Sequence, residues 1–511
     1  MNSDDVLEGR EESILGNQGG LGFWSACLYS GGAVGAFHLA FHWDALALLM
    51  IFYFMAMAML TGLPSSRKAF YFGLAIGFCV FAPSLLFLWT IFKIAAIPLW
   101  LVLSFWHGLF LSVIHKTRER FGWKTALCLL PLVWMGTEFF RSELYYLRFS
   151  WLSAGFAFSD SELYSPLRFL GVYGLGLVMA GLGCWLLASG RRRVLVGSGV
   201  VATMAFLLLV KPWLVERRPA DPGRLLQVAG VQLEFPMETA VLQGLNLTRK
   251  KAPDAELLVL SEYTFLGKIP ESVRDWCQRE KVHLIAGGKE YVEGKGFYNM
   301  AYVVGPEGEI VFKQAKSVPI QFFDDGLPAP EQKLWDSPWG KLGIAICYDL
   351  SYRQVMDRFV EQGAEALIIP TMDVEEWGRE EHELHARVAP MRTMEYGIPI
   401  LRLASSGISQ LVIPTGVVTA SAPFPGSLKV IQGEMELKGA GVIPWDWFLA
   451  PVATSVTGSL LIFLLVEPVY LKIRRRRLGR EGREGRMDRV VYLGARSRPP
   501  LSWRRAVRSG P

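Results

Sequence analysis

Long apolar runs fill the first part of the chain, at about 21–41, 44–62, 69–92, 95–115, 124–140, 166–189 and 193–212, and one more follows at about 449–471. Each approaches the roughly 20 residues that a helix needs to cross a bilayer. Between 224 and 447 the pattern changes. Short runs rich in Val, Ile and Leu alternate with charged stretches of helical period. The runs at 225–232, 256–260, 283–287, 300–304, 342–346, 366–369 and 399–403 read as strands. Helices are expected at about 236–252, 269–280, 351–362 and 379–396. Strands alternating with helices predict an α/β domain with well-buried sheets.

The fold class expected is therefore a multi-domain membrane protein. It has an α-helical transmembrane bundle of about eight helices and an α/β domain. The divisions are a 1–20 cytoplasmic tail, a 21–212 seven-helix domain, a 224–447 catalytic domain, a 449–471 membrane helix and a 472–511 basic cytoplasmic tail. The first twenty residues are polar and acidic and lack the basic start of a cleavable signal peptide. The tail from Gly479 is expected to be disordered.

Charge sets the orientation. Arg67 and Lys68, then Lys116, Arg118, Arg120 and Lys124, then Arg191, Arg192 and Arg193, and finally the run from Arg474 fall on one side of an alternating chain. Basic loops face the cytoplasm, so the polar block lies outside; Lys211, Arg217 and Arg218 are discordant. The formal net charge of +6 is concentrated in the last tail, where a hydrophobic neighbour favours a membrane anchor over nucleic-acid binding. Of six Cys, only Cys277 and Cys347 lie in the polar block. No CxxC pair or Cys/His ligand spacing occurs, so neither a metal nor a cofactor is expected.

Three stretches of the block carry chemistry. Leu258-Val-Leu-Ser-Glu262 ends a buried run on a carboxylate, Lys313-Gln-Ala-Lys316 offers an ammonium, and Gly343-Ile-Ala-Ile-Cys347-Tyr-Asp349 ends a buried run on a thiol. A carboxylate base, a cation and a Cys nucleophile suit acyl transfer through a thioester. Such a thiol is expected to have its pKa drawn toward neutrality by the cation. The aromatic segment 141–151, ending in Trp151, is either an interfacial anchor or a surface that receives lipid.

These motifs resemble the nitrilase, or carbon–nitrogen hydrolase, superfamily, and with the flanking spans they resemble the apolipoprotein N-acyltransferases. The resemblance covers roughly 20–475 and rests on the Cys stretch, Tyr298-Asn299, Arg392-Thr-Met-Glu395 and Ser406-Gly-Ile-Ser409. It implies an αββα sandwich in which Cys347 is the nucleophile, Glu262 the base and Lys316 the oxyanion partner, with Lys313 as the alternative lysine. Tyr348 and Asp349 would shape the pocket, and Trp377 and His385 would stand near its mouth. The family's second acid is best matched by Asp324, with Asp325 its rival. The implied reaction moves an acyl chain from a phospholipid to the amine of a diacylglyceryl lipoprotein, at the periplasmic face of a bacterial inner membrane. Short gaps around Lys316 favour a second reading, a membrane-tethered amidase or other hydrolase; a third, a non-catalytic lipid- or lipoprotein-binding scaffold, is opposed by the intact Glu262, Lys316 and Cys347.

Overall fold

The computed structural model describes residues 20–159, 168–188 and 223–494. The expected seventh span at 193–212, the acidic segment 1–19 and residues 495–511 lie outside the described residues. The chain forms one compact unit to Thr457, and a second unit begins at Gly458.

The apolar runs that are described lie on helices. These are α1 (Phe23–His42), α2 (Met50–Leu60), α3 (Ser66–Ser84), α4 (Phe87–Phe92), α5 (Ala96–Phe121), α6 (Trp123–Phe139) and α7 (Gly171–Leu187). Among the described residues, three stretches are helical, long and apolar enough to cross a membrane: Phe87–Phe121, Arg168–Leu187 and Asp446–Arg474. The run at 69–92, expected as one span, is broken into α3 and α4. Pro83 has no N–H to give the carbonyl of Cys79, and His38 Nε2 takes that carbonyl instead at 2.9 Å. The helix ends one residue later, at Ser84. α3 and α5 cross almost backbone to backbone. A Cβ at Gly73 would stand 2.5 Å from the His107 carbonyl oxygen, and one at Gly77 would stand 2.8 Å from Ser104 Cα.

The α/β part carries two sheets of six strands each. The first is centred on β1 (Arg224–Val231), β2 (Leu257–Val259) and β3 (His283–Val292), all parallel. It is completed by antiparallel β4 (Gly296–Val304), β5 (Ile310–Ala315) and β12 (Val430–Leu437). The second repeats this plan. Parallel β7 (Gly340–Ile344), β8 (Ala366–Thr371) and β9 (Ile400–Ala404) are flanked by β6 (Leu334–Ser337), β10 (Ser409–Val412) and β11 (Val418–Ala422). The sheets face each other, with Leu403 of β9 over Gly230 of β1 and Leu411 of β10 over Gly433 of β12.

Helices cover both outer faces. Val241 and Leu245 of α8 (Glu238–Lys251) and Val273 and Trp276 of α9 (Glu271–Glu280) join the core of the first sheet. Phe359 of α10 (Arg353–Glu361) packs over Gly343 of β7. The expected helix at 379–396 is two, α11 (Arg379–Ala386) and α12 (Val388–Tyr396). Pro390 cannot donate to Ala386, but it is tolerated in the first turn of a new helix. Five strands escape the sequence reading: β5, β6, β10, β11 and β12. β6 and β10 are only four residues long, and β5, β11 and β12 carry several exposed positions, so none makes a long apolar run.

The last helix, α13 (Asp446–Gly494), continues through the basic run, where disorder was expected from Gly479. Arg and Glu in that stretch are good helix formers, although Gly479, Gly482 and Gly485 are not.

Candidate active site

In both sheets the parallel strands end at the same place, and Glu262, Cys347 and Asp373 follow β2, β7 and β8. Ligands of open α/β sheets collect at such carboxyl ends. Gly287 of β3 lets the Glu262 turn come close, since a Cβ there would stand 2.6 Å from Glu262 Cα. Tyr263 and Cys347 are non-glycine residues with φ of 51° and 54°. That backbone region is disfavoured for L side chains and is held in place only by its surroundings.

Glu262, Lys316 and Asp325 form a closed, buried network. Lys316 Nζ lies 2.9 Å from Glu262 Oε1 and 2.7 Å from Asp325 Oδ2. Asn299 Nδ2 donates to Glu262 Oε1 at 2.6 Å and to Asp325 Oδ1 at 2.9 Å. The Met372 N–H donates to Glu262 Oε2 at 2.8 Å, and the Tyr263 hydroxyl to Asp325 Oδ1 at 2.7 Å. Burial works against charge on Lys316, but Glu262, Cys347 and Asp325 outweigh it and hold the ammonium's pKa well above the usual value. Burial raises the pKa of Glu262, opposed by Lys316 and helped by Asp325. Asp325 goes the other way, because Lys316 and three hydrogen bonds overcome its burial.

Cys347 is 1% exposed, and its Sγ lies 3.7 Å from the Met372 carbonyl oxygen. Burial and then the Glu262 charge raise its pKa well above that of a free thiol, despite Lys316. The expected lowering toward neutrality is thus corrected. One cation shared with two carboxylates does not offset loss of solvent. Asp349 ties the Cys347 turn to the Lys316 segment. It accepts the N–H of Ser317 at 3.0 Å, of Val318 at 2.7 Å and of Ile346 at 3.2 Å. Burial pushes its carboxyl up to about 6.

A groove leads from Cys347 and Tyr348 between Phe87, Ile91 and Phe92 of α4, Leu99 and Leu103 of α5, and the 147–151 and 320–323 segments. Its mouth is aromatic: Phe92 meets Phe322 and Phe323 at 5.9 and 5.8 Å, and Phe323 meets Trp377 at 5.9 Å. Trp151 is buried between the two parts of the chain. Its Nε1 donates to Ser351 Oγ at 2.7 Å, and its ring stacks on His385 at 4.9 Å and stands edge-on to Tyr348 at 5.6 Å.

Residues 240–444 match the carbon–nitrogen hydrolase family, and residues 30–185 match the N-terminal domain of apolipoprotein N-acyltransferases. The apolipoprotein N-acyltransferase of Shewanella oneidensis is 24% identical over 369 residues, covering 62% of this chain and 69% of that one. That of Methylococcus capsulatus is 25% identical over 381 residues, covering 65% and 73%. The chain belongs to the apolipoprotein N-acyltransferase family. A solved carbon–nitrogen hydrolase from Helicobacter pylori G27 covers 42% of this chain and 90% of its own, at 20% identity and a TM-score of 0.37.

In this family member the acid against Lys316 is Asp325, not Asp324. Asp324 is exposed and Asp325 is 5% exposed, because the turn from Phe322 (φ 70°) sends adjacent side chains to opposite sides. Lys313 points away and pairs with Glu290 at 2.7 Å. Tyr348 and Trp377 line the groove with Trp151. The sequence reading passed over Asp373, whose only signal is its place just after an apolar strand. Its Oδ1 lies 2.8 Å from His385 Nδ1, and its Oδ2 pairs with Arg402. Burial opposes its charge, but Arg402 and His385 hold its pKa well below the usual range. Burial lowers His385 to about 4. Ligand-type atoms of Cys347, Asp373 and His385 lie within 4.8 Å of one another, as do those of Asp373, Glu381 and His382. The Arg402 guanidinium already neutralises Asp373, the carboxylate common to both groups, which disfavours a cation there.

Proposed function

We propose that the chain moves a fatty acyl group from a phospholipid to the N-terminal amine of a diacylglyceryl-Cys lipoprotein, through a thioester on Cys347. One observation carries this reading. A buried thiol stands beside the paired Glu262–Lys316–Asp325 network, at the foot of a groove walled by aromatic and aliphatic side chains of α4 and α5.

Cys347 rests as a neutral thiol, so its proton must leave as sulfur attacks the ester carbonyl. Glu262 takes that proton, and its raised pKa makes it the stronger base. The Lys316 ammonium stabilises the oxyanion. The C–O bond breaks, the glycerol oxygen takes the proton from Glu262, and a lysophospholipid leaves. The neutral amine then attacks the thioester carbonyl. The C–S bond breaks, and the amine's proton returns through Glu262 to sulfur. Asp325 holds Lys316, Asp349 holds the two loops together, and Tyr348, Trp151 and Trp377 shape the acyl path. Holding both substrates in one bilayer raises their effective concentration, and an apolar groove limits water as a competing acceptor.

The finer topology belongs to the same proposal. About eight helices span a bacterial inner membrane, with the α/β domain on the periplasmic side, consistent with the basic loops.

The test is intact mass of the detergent-purified protein after incubation with phospholipid, with Cys347→Ala alongside. A fatty-acyl increment on the wild type alone, discharged by a diacylglyceryl lipopeptide, is expected. Free fatty acid released without transfer to the amine would replace the acyltransferase with a hydrolase.

A further inference from the structure

One charged side chain of the groove wall has no part in the chemistry above. Arg148 is the only Lys or Arg among the described residues that line the groove, and the wall around it is mainly aliphatic and aromatic. No carboxylate pairs with it among the described residues. Its guanidinium lies over the Tyr352 ring at 4.6 Å, and its Nη1 reaches the Glu143 carbonyl at 3.4 Å, a long and weak bond. Arg148 is only half-buried, so donors remain free on the groove side. Tyr352 in turn meets Tyr348 edge-on at 5.0 Å, and Tyr348 is the neighbour of Cys347. The cation thus stands two aromatic rings from the thiol.

We propose that Arg148 binds the phosphodiester of the acyl donor and so makes the enzyme select a glycerophospholipid over a neutral glyceride. The inference rests on the acyl-transfer reading and names the donor's recognition element. A guanidinium fork matches two phosphate oxygens, and such a pair strengthens away from water. The glycerol backbone keeps the scissile ester and the phosphate only a few bonds apart. A donor whose ester carbonyl rests at Cys347 therefore carries its phosphate past Tyr348 to Arg148, which lines the same groove. The acyl tail runs the other way, between α4 and α5.

The experiment compares dioleoyl phosphatidylglycerol with dioleoylglycerol, which has the same acyl esters without phosphate, as donors to the full-length protein in micelles. Thioester formation is read by intact mass. Arg148→Gln is expected to lower the ratio of kcat/KM for the two donors by about tenfold, the loss of one charge-assisted interaction. Arg148→Lys should restore part of it. An equal fall for both donors would make Arg148 a purely structural residue, and an unchanged ratio would remove it from recognition; either overturns the proposal. Phosphatidylglycerol retained by Cys347→Ala in native mass spectra, with and without Arg148→Gln, reads binding without chemistry. Binding that depends on Arg148 while no thioester forms would sink the acyl-transfer reading and leave the phosphate site standing. Binding indifferent to Arg148 would sink the phosphate site alone.

Discussion

Asp325 Oδ2 stands 2.7 Å from Lys316 Nζ, and both side chains are buried. Asp325→Asn leaves Glu262 as the only carboxylate on a buried ammonium. Breaking a buried pair from one side costs about 3–5 kcal/mol. We expect a marked fall in thermal stability and in thioester formation for Asp325→Asn. Asp324→Asn, on the exposed neighbour, should shift stability by no more than about 0.5 kcal/mol. A larger loss for Asp324→Asn in calorimetry would mean that the turn presents the other acid.

The pH profile of thioester formation should carry an acid limb set by Glu262. The base works only when ionised, and burial raises its pKa. The rate should therefore fall, as pH is lowered, at a value above the roughly 4.3 of an ordinary Glu. Glu262→Gln should abolish the limb and lower the rate by about 10²–10⁴-fold, the usual contribution of a positioned base. His385, held near 4 by burial, stays neutral above that and adds no limb between pH 5 and 8.

Asp349 links acid–base behaviour to folding. Its carboxyl is raised by burial to about 6, against an ordinary value of 3.8. A raised folded-state pKa means that its contribution to stability is full below the unfolded value and is lost as pH rises through about 6. Relative to Asp349→Asn, the wild type should lose melting temperature between about pH 4 and pH 6. Asparagine also cannot accept every one of the bonds from Ser317, Val318 and Ile346. The variant should therefore be destabilised by about 1–3 kcal/mol and slow in forming the thioester.

Trp151 and Ser351 join the helical part to the Cys347 turn through one 2.7 Å hydrogen bond. Trp151→Phe and Ser351→Ala should each cost about 1 kcal/mol. The double variant should cost less than their sum, since both remove the same bond. Additive losses in thermal unfolding would show that the bond carries no coupling.

Much was legible in one dimension because it is local. Uninterrupted apolar runs announce helices that face lipid or one another. The buried parallel strands β1, β2, β7, β8 and β9 are runs of aliphatic residues, which is why Glu262 and Cys347 could be located at strand ends. Strands with exposed positions, such as β11 and β12, were invisible because half their residues face solvent. The break between α3 and α4 was also missed. Pro83 signals a defect, but only His38, on another helix, shows where the freed carbonyl goes.

By itself the sequence determined the order of the segments, the alternation of strands and helices, and the three chemical groups at 262, 316 and 347. Each of these depends on neighbours in the chain and on hydrophobic period. The tertiary structure decided the rest. Which of two adjacent aspartates meets Lys316, that burial raises the Cys347 thiol, that Asp373 meets His385, and that Trp151 and Arg148 line the groove all depend on distance through space and on lost solvent. Those quantities arise only when residues far apart in the chain are packed together.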